Sequence, residues 1–168
     1  MSIPKIQSYP MPKVEEVNEK INWKVDAKRS VLLVHDMQNY FLSYYDQTQA
    51  PIPELIANIQ RIKELCATLE IPVVYTAQPG DQHAEDRALL TDFWGDGLRE
   101  DATITAITPA LAPTQKDTVM TKWRYSAFKK SNLEELMKDV WERDQLMICG
   151  IYAHIGCLLT AAEAFMYD

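Results

Sequence analysis

The chain has 168 residues, of which 47% are hydrophobic and 24% are charged. This size suits one domain with a substantial core, and the ordinary apolar content, with 10% aromatic residues, excludes a disordered chain. The formal net charge of −7 disfavours nucleic acid or an anionic membrane as the main partner, because such partners select basic surfaces.

The N-terminal residues and the cysteines bear on location. The first 13 residues contain no apolar stretch of the kind that a secretory signal needs, and no window approaches ~18 uninterrupted apolar residues. Three cysteines are an odd number, which favours free thiols in a reducing compartment over a disulfide framework. We therefore expect a cytoplasmic protein.

The first half of the chain predicts an arm followed by a strand, a helix and a second strand. Residues 1–29 contain prolines and charges without periodicity, and we expect an extended arm that wraps on the domain. Residues 30–36 contain a continuous valine and leucine run, typical of a strand buried on both faces of a parallel sheet. Apolar residues recur with a helical period over 54–69, which predicts an amphipathic helix, and 71–77 is a second predicted strand.

The second half continues this alternation, with predicted strands at 117–122 and 145–150. Between them, Ser131 with Glu134 three residues later has the spacing of a capping box, so a helix is predicted to begin there. The buried face of that helix is predicted to consist of Leu133, Leu136, Met137 and Val140. Residues 155–167 predict a last helix that is apolar on nearly every side, and we expect it to be central and buried.

Alternating strands and helices imply right-handed crossovers and an open, mainly parallel sheet with helices on both faces. The predicted fold is therefore α/β, a three-layer αβα arrangement of the Rossmann-like kind, formed by residues 30–168. The long connection over 78–113, with a predicted helix at 85–93, is of a length that often carries function.

Polar or charged side chains follow three of the four predicted strands. Asp36, Gln78 and Lys122 each come after an apolar run, and the fourth strand leads through residues 150–156 into a helix N-terminus. Ligands of open α/β sheets bind outside the carboxyl ends of the strands, so these positions form the predicted site. The helix N-terminus there offers free backbone N–H groups to an oxyanion or a carboxylate.

Charge is segregated along the chain. Residues 80–101 contain seven acids and two bases, whereas residues 116–130 contain five bases and one acid. A basic strip at the strand ends of an acidic protein favours a small anionic substrate. Arg87 lies inside the acidic stretch and is expected to point inward, whereas Lys129 and Lys130 are equally consistent with solvated surface charges.

Asp36 and Lys122 are the candidate reactive pair, although a buried pair of this kind also occurs as a structural ion pair. Burial favours a protonated carboxyl, and a nearby lysine favours the ionised form. The residues alone therefore leave open whether Asp36 acts as an acid or as a base.

Five segments together resemble the isochorismatases. They are residues 34–38 (VHDMQ), 75–79 (YTAQP), 85–90 (EDRALL), 122–128 (KWRYSAF) and 150–156 (GIYAHIG), of which the last two are the most specific. The likeness covers essentially the whole chain. It is closest to the enzymes of catechol siderophore (2,3-dihydroxybenzoate) biosynthesis, which convert isochorismate and water to 2,3-dihydro-2,3-dihydroxybenzoate and pyruvate.

The resemblance implies a role for each candidate residue. Asp36 would protonate the methylene carbon of the enolpyruvyl group as a general acid, and water would attack the resulting oxocarbenium carbon. Lys122 would hold Asp36 and a substrate carboxylate. The substrate carboxylates and ring hydroxyls would be bound by Gln78, Arg87, Tyr152 and the N–H of Gly156. An apolar wall that excludes water would be formed by Phe41 and Trp94.

The wider superfamily includes cysteine hydrolases built on an Asp–Lys–Cys triad, and this chain departs from their pattern. The amidase nucleophile is the sixth residue after a glycine that corresponds to Gly150, and that position holds Gly156. Cys157 comes one residue later, about 100° further round a helix, so we expect it to be a packing residue. A nicotinamidase-like cysteine hydrolase using Asp36, Lys122 and Cys157 is the second hypothesis, and a non-catalytic scaffold or carrier-docking protein is the third.

The resemblance implies no cofactor. The three histidines, His35, His83 and His154, lack a metal-ligand spacing, so no metal site is predicted, and His154 is expected to be a hydrogen-bonded structural residue. Family members commonly form homodimers, and siderophore synthetases or carrier domains are the partners that the resemblance suggests. Relatives continue past the last helix, so we expect the C-terminal strand and helix of the family to be missing, which leaves a sheet edge and an apolar helix uncovered.

Overall fold

The computed structural model describes residues 3–17 and 20–168, and within them a four-stranded sheet forms the centre. The strands are β1 Ser30–His35, β2 Val73–Ala77, β3 Thr118–Thr121 and β4 Gln145–Gly150. In space their order is β3-β2-β1-β4, and every neighbouring pair is parallel. The predicted open parallel sheet is therefore confirmed.

Helices of very different lengths join the strands. They are α1 Asn39–Leu42, α2 Ile52–Thr68, α3 Ala84–Arg87, α4 Leu90–Trp94, α5 Ala102–Thr105, α6 Leu133–Glu135 and α7 Leu158–Met166. Single turns of 3-10 type occur at Val14–Glu16 and Pro109–Leu111, and wider π-type turns occur at Leu136–Val140 and Ala153–Cys157. In the part of the chain that the structure describes, no helix has the length and hydropathy that a membrane crossing would require.

The two faces of the sheet carry separate apolar clusters. Leu32 and Val34 of β1 pack into a cluster with Ile59 of α2, whereas Val31 and Leu33 pack into the cluster that contains residues of α6 and the last helix. Successive side chains of a strand point to opposite faces, so a strand that is apolar throughout needs cover on both. All six residues of β1 are buried, and the predicted three-layer arrangement is confirmed.

The long helix α2 begins two residues before the predicted start. Pro51 takes the N-cap position and Pro53 lies in the first turn, where a missing N–H costs no hydrogen bond. Ile59 and Cys66 are buried as the helical period predicts. Leu65, which the same pattern placed on the apolar face, is 57% exposed, because it lies at the margin of the face that meets the sheet.

The capping box predicted at Ser131 does not form. Asn132 takes the N-cap position of α6, and Ser131 Oγ instead donates to the carbonyl of Ala127 at 2.6 Å. The hydroxyl is thus used to close the preceding turn. The predicted burial of Val140 is also wrong: its side chain is exposed, because the π-type turns that follow α6 hold more residues per turn and rotate it away from the sheet.

The last helix is not buried as expected. Thr160 is buried, and Ala164 and Tyr167 pack against the cluster that contains Val31 and Leu33. The opposite side of α7 is uncovered by the described residues, because the helix contacts the sheet along one side only. Its exposed apolar side chains are Leu158, Leu159, Phe165 and Met166.

The N-terminal segment contacts the domain near α1. Ile6 N–H donates to the carbonyl of Tyr44 at 2.8 Å, Lys5 Nζ donates to the carbonyl of Ser43 at 2.6 Å, and Ile3 packs on the apolar cluster around α2. These contacts agree with an arm that lies on the domain. The division into an arm over 1–29 and a domain over 30–168 stays a prediction.

The helix predicted over 85–93 is broken into α3 and α4. Ala88 lies between them with φ at 46°, a left-handed conformation that ends the first helix. The break turns the chain so that both Arg87 and Trp94 reach the carboxyl end of the sheet.

Candidate active site

Asp36 and Lys122 meet at the carboxyl end of the sheet. Lys122 Nζ donates a hydrogen bond to Asp36 Oδ2 at 2.7 Å, and Thr76 Oγ1 donates to Asp36 Oδ1 at 2.7 Å. The Asp36 and Lys122 side chains are only 6% and 2% exposed. The strand order explains this geometry: Thr76 lies in β2, between β1 and β3, so the residues that follow β1 and β3 converge over it.

Thr76 fixes both the backbone and the carboxyl group of Asp36. The N–H of Asp36 donates to Thr76 Oγ1 at 3.0 Å, while the same hydroxyl gives its hydrogen to the carboxylate. Asp36 has φ at 51°, a left-handed conformation that aspartate tolerates better than most residues. Thr76 was not singled out from the sequence, although its place in the strand beside Asp36 is the signal that would have found it.

His35 supports the segment between β4 and the last helix, which lies beside the Asp36–Lys122 pair. Its ring is fully buried, and Nδ1 donates to the carbonyl of Ile151 at 2.8 Å. Gly156 packs so closely on the ring that a Cβ there would lie 2.2 Å from His35 Cε1. The glycine is therefore required by a close approach, and the contact holds the N–H end of the last helix beside the pair.

We expect His35 to make the fold less stable below neutral pH. Burial lowers the pKa of His35, so the folded state holds a neutral ring while the unfolded chain titrates near its ordinary pKa of ~6.5. The neutral His35 ring therefore costs no stability above pH ~6.5. As the pH falls below that value, the free energy of unfolding decreases by at most ~1.4 kcal/mol per pH unit. His35→Asn should flatten this part of the urea unfolding profile between pH 7.5 and 5.

The matched control for that experiment is His83→Asn, because His83 is exposed. This variant should keep the slope of the parent chain. Parallel profiles for the parent and His35→Asn would contradict the assignment of a buried neutral ring to His35.

A cavity of about 220 Å³ opens beside the Asp36–Lys122 pair. Its lining includes all eight residues that the sequence nominated: Asp36, Phe41, Gln78, Arg87, Trp94, Lys122, Tyr152 and Gly156. Cavities for drug-sized ligands usually measure ~300–1,000 Å³, so this one suits a single-ring molecule. It lies outside the carboxyl ends of the strands, where open α/β sheets bind their ligands.

Arg87 brings a buried positive charge to the cavity. Its Nε donates to the carbonyl of Gly95, and among residues 3–17 and 20–168 its Nη1 has no hydrogen-bond partner. Gly97, with φ at 83°, lets the guanidinium pass, because a Cβ there would lie 2.4 Å from Nη1. Burial lowers the pKa of Arg87, yet an arginine stays charged at neutral pH. The side chain points inward as expected and keeps a free donor.

Gln38 holds the strand end that carries Gln78. Its Nε2 donates to the carbonyls of Gln78 and Thr105, at 2.9 and 2.7 Å, and its Oε1 accepts from the N–H of Gln78 at 2.7 Å. All three bonds go to backbone groups, so Gln38 is a positioning residue and the side chain of Gln78 is left at the cavity.

Aromatic side chains form one wall of the cavity. The rings of Phe41 and Tyr152 meet edge to face at 5.9 Å, and the Tyr152 hydroxyl donates to the carbonyl of Phe41 at 3.1 Å. A second pair of aromatic residues is joined by a hydrogen bond from Trp94 Nε1 to the hydroxyl oxygen of Tyr125 at 2.8 Å. The expected apolar wall therefore exists and is held by two hydrogen bonds.

Several lining residues were not nominated from the sequence. Arg124 adds a second arginine, whose Nη1 donates to the carbonyls of Asp86 and Trp123 at 2.6 Å. His154, expected to be hydrogen-bonded, is exposed at the cavity mouth and makes no hydrogen bond to the described residues. The side chain points toward solvent because His154 lies in the π-type turn at Ala153–Cys157. The remaining unpredicted lining residues are Ile3, Pro4, Ile6, Tyr40, Leu90, Gly97, Leu98, Tyr125 and Ile155.

Gly156, and not Cys157, lines the cavity at this turn. Burial raises the pKa of the Cys157 thiol to about 12, so it is a thiol and not a thiolate at neutral pH. No group of three or more metal-ligating side chains occurs within the described ranges.

The parallel sheet has helices on both faces and a buried Asp36–Lys122 pair at its carboxyl edge. The fold matches that of a cysteine hydrolase from Pseudomonas syringae pv. phaseolicola 1448A with a TM-score of 0.78, over 89% of this chain and 71% of that one, at 20% identity. Residues 30–168 match the model of the isochorismatase domain. The chain belongs to the isochorismatase family.

Two curated relatives align along this whole chain. An isochorismatase of Bacillus subtilis (strain 168) is 56% identical, and enterobactin synthase component B of Escherichia coli (strain K12) is 46% identical. The alignments cover 54% and 59% of those two proteins, so the chain spans a little over half the length of the relatives that it matches.

Proposed function

We propose that the protein hydrolyses the enolpyruvyl ether of isochorismate to 2,3-dihydro-2,3-dihydroxybenzoate and pyruvate, for catechol siderophore biosynthesis. The observation that carries the proposal is the buried Asp36–Lys122 pair at a small cationic cavity whose nucleophile position is Gly156. Membership of the isochorismatase family and the names of the two relatives support it. An acid in a cavity whose lining includes no cysteine suits protonation of a vinyl ether without a covalent intermediate.

In the proposed reaction, Asp36 gives its proton to the methylene carbon of the enolpyruvyl group. The neighbouring carbon becomes an oxocarbenium centre, and water adds to it while its released proton returns to the carboxylate. The hemiketal then loses the bond between that carbon and the ring oxygen. The ring oxygen leaves as a hydroxyl with the hemiketal proton, and pyruvate forms, so atoms and charge balance.

Lys122 has a second role in this scheme, which is to free the proton-donating oxygen. Both carboxylate oxygens of Asp36 accept hydrogen bonds, one from Thr76 and one from Lys122. A substrate carboxylate in the cavity offers Lys122 a new acceptor. Asp36 Oδ2, released from Lys122, then takes up a proton from solvent and carries it toward the substrate, while Thr76 keeps the carboxyl group oriented.

The remaining groups bind and enclose the substrate. Arg87 supplies a buried positive charge for a carboxylate, and the side chain of Gln78 and the N–H of Gly156 supply donors at the cavity. Phe41, Trp94 and the ring of Tyr152 form the apolar wall that excludes bulk water. Acid catalysis of this kind contributes ~10²–10⁴-fold, so orientation and charge complementarity supply the rest of the acceleration.

Release of pyruvate from isochorismate by the purified chain tests the proposal. The assay couples pyruvate to NADH oxidation by lactate dehydrogenase, and a thermal unfolding transition first establishes that the protein is folded. Folded protein that releases no pyruvate above the uncatalysed rate contradicts the proposed activity and favours a scaffold or carrier-docking role.

The amidase hypothesis makes a different prediction for Cys157. Its thiol carries a pKa raised by burial to about 12 and lies outside the cavity lining, so Cys157→Ala should retain isochorismate turnover within about threefold. The measurement is kcat for pyruvate release. A loss of a hundredfold or more in a folded Cys157→Ala protein would instead point to a cysteine nucleophile.

Assembly and location belong to the same proposal. We infer a homodimer, siderophore-synthetase or carrier-domain partners, and a cytoplasmic location. The name of the Escherichia coli relative supports the synthetase partner, and the three free thiols, Cys66, Cys149 and Cys157, support a reducing location. The homodimer is what the resemblance to the family implies. Sedimentation velocity at micromolar concentration tests the dimer, and a monomeric mass there would contradict it.

A further inference from the structure

Three tyrosines line the cavity, Tyr40, Tyr125 and Tyr152, and Tyr40 shares a side-chain hydrogen bond with Tyr44. The hydroxyls of Tyr125 and Tyr152 differ in where their hydrogens go. Tyr152 donates its hydrogen to the carbonyl of Phe41 at 3.1 Å. Tyr125 accepts a hydrogen bond from Trp94 Nε1 at 2.8 Å, and its own hydrogen has no protein acceptor among the residues that the structure describes. Because a phenol carries one hydrogen, Tyr152 has none left for a ligand, whereas Tyr125 keeps one.

The position of Tyr125 is fixed by its neighbours. The N–H of Ala127 donates to Thr160 Oγ1 at 3.0 Å, and Ser131 Oγ donates to the carbonyl of Ala127 at 2.6 Å. The first bond ties the turn after β3 to the last helix, and the second closes the turn itself. The indole N–H of Trp94 occupies one lone pair of the Tyr125 oxygen, which limits the directions open to the hydroxyl hydrogen.

A second unused donor lines the same cavity. Arg87 is buried, and its Nη1 is without a partner in the described part of the chain. A buried guanidinium with an unmet donor and a phenol with a free hydrogen are the groups that recognise a carboxylate by charge-assisted hydrogen bonding.

We propose that Tyr125 is a substrate-binding residue whose hydroxyl, together with Arg87, holds a carboxylate of a single-ring substrate. The inference rests on the proposed function and reassigns the donating tyrosine from Tyr152 to Tyr125. Tyr152 then serves the site through its ring, which packs against Phe41.

Tyr125→Phe tests the assignment through two readouts. With isochorismate, KM should rise by about tenfold or more while kcat changes by less than about threefold, because a hydrogen bond to a charged group is lost from binding and not from proton transfer. In direct binding, affinity for 2,3-dihydroxybenzoate should fall by a similar factor, whereas affinity for catechol, which lacks the carboxylate, should change by less than about threefold.

The matched control is Tyr167→Phe, which removes a hydroxyl that meets Glu163 on the last helix. It should leave both readouts unchanged. Equal losses for 2,3-dihydroxybenzoate and catechol in Tyr125→Phe, or no loss for either, would overturn the assignment. Trp94→Phe distinguishes carboxylate binding by Tyr125 from a purely structural role. If Tyr125 only held the Trp94 indole, both Trp94→Phe and Tyr125→Phe would weaken binding of 2,3-dihydroxybenzoate and catechol by similar factors.

The binding readout does not depend on turnover, so the two proposals fail separately. Protein that binds 2,3-dihydroxybenzoate through Tyr125 but releases no pyruvate from isochorismate contradicts the proposed reaction and leaves the carboxylate site standing. Protein that turns over isochorismate with an unchanged KM in Tyr125→Phe contradicts the carboxylate site alone.

Discussion

Asp36→Asn is expected to lower kcat for pyruvate release by a factor of ~10²–10⁴, with KM changed little. Asparagine has nearly the size of aspartate, and its amide can donate to Thr76 Oγ1 and accept from Lys122 Nζ. Those two contacts hold the aspartate in the parent chain. The variant keeps the fold and removes the proton that the methylene carbon requires.

The comparison for this loss is Asp139→Asn, at an exposed carboxylate far along the chain. Its kcat should equal that of the parent chain. A folded Asp36→Asn protein that retains activity within tenfold would show that Asp36 is not the acid, and the ion pair would then be structural.

Lys122→Met is expected to lower the free energy of unfolding by ~3–5 kcal/mol and to abolish turnover. The substitution leaves the Asp36 carboxylate buried with its Thr76 bond alone, and a buried charge without its partner is strongly destabilising. Methionine fills most of the lysine volume, so the loss reports the charge and not a cavity. Urea unfolding at neutral pH measures it.

The double variant Asp36→Asn/Lys122→Met provides the control. Removing the carboxylate charge as well should recover much of the stability that Lys122→Met loses, which a double-mutant cycle expresses as a coupling free energy. A Lys122→Met protein that is as stable as the parent, or a double variant with no recovery, would contradict a buried ion pair between the two side chains.

The sheet and the position of the site were predictable because short local sequence patterns indicate both. The valine and leucine run of β1 requires cover on both faces, which only a central strand obtains. The polar residue after each strand marks the edge where ligands bind. For that reason Asp36, Gln78 and Lys122 could be placed together at the cavity with no knowledge of the strand order.

The burial of individual helix residues was less predictable, because it depends on which neighbours cover each side. The last helix is apolar on nearly every side, yet Phe165 and Met166 are both 72% exposed, since the described residues pack against one face only. Val140 is exposed because the turn before it is wider than an α-helical turn. No spacing rule for α-helices anticipates either result.

The tyrosines at the cavity show a third limit. Sequence resemblance pointed to Tyr152, but whether its hydroxyl has a hydrogen to offer depends on the carbonyl of Phe41, which lies 111 residues away along the chain. The free donor of Tyr125 becomes visible only when Trp94 is seen to occupy its oxygen. Hydrogen-bond partners of this kind arise from the fold and leave no local mark in the sequence.

The most direct test of the proposed reaction is mass spectrometry of the products formed from isochorismate in D₂O, with a parallel reaction in water enriched in ¹⁸O. Protonation of the methylene carbon by an exchangeable acid predicts pyruvate with one deuterium in its methyl group. Water attack on the oxocarbenium carbon predicts 2,3-dihydro-2,3-dihydroxybenzoate without ¹⁸O. Pyruvate without deuterium, or ¹⁸O incorporated into the ring product, would contradict general-acid hydrolysis at this site.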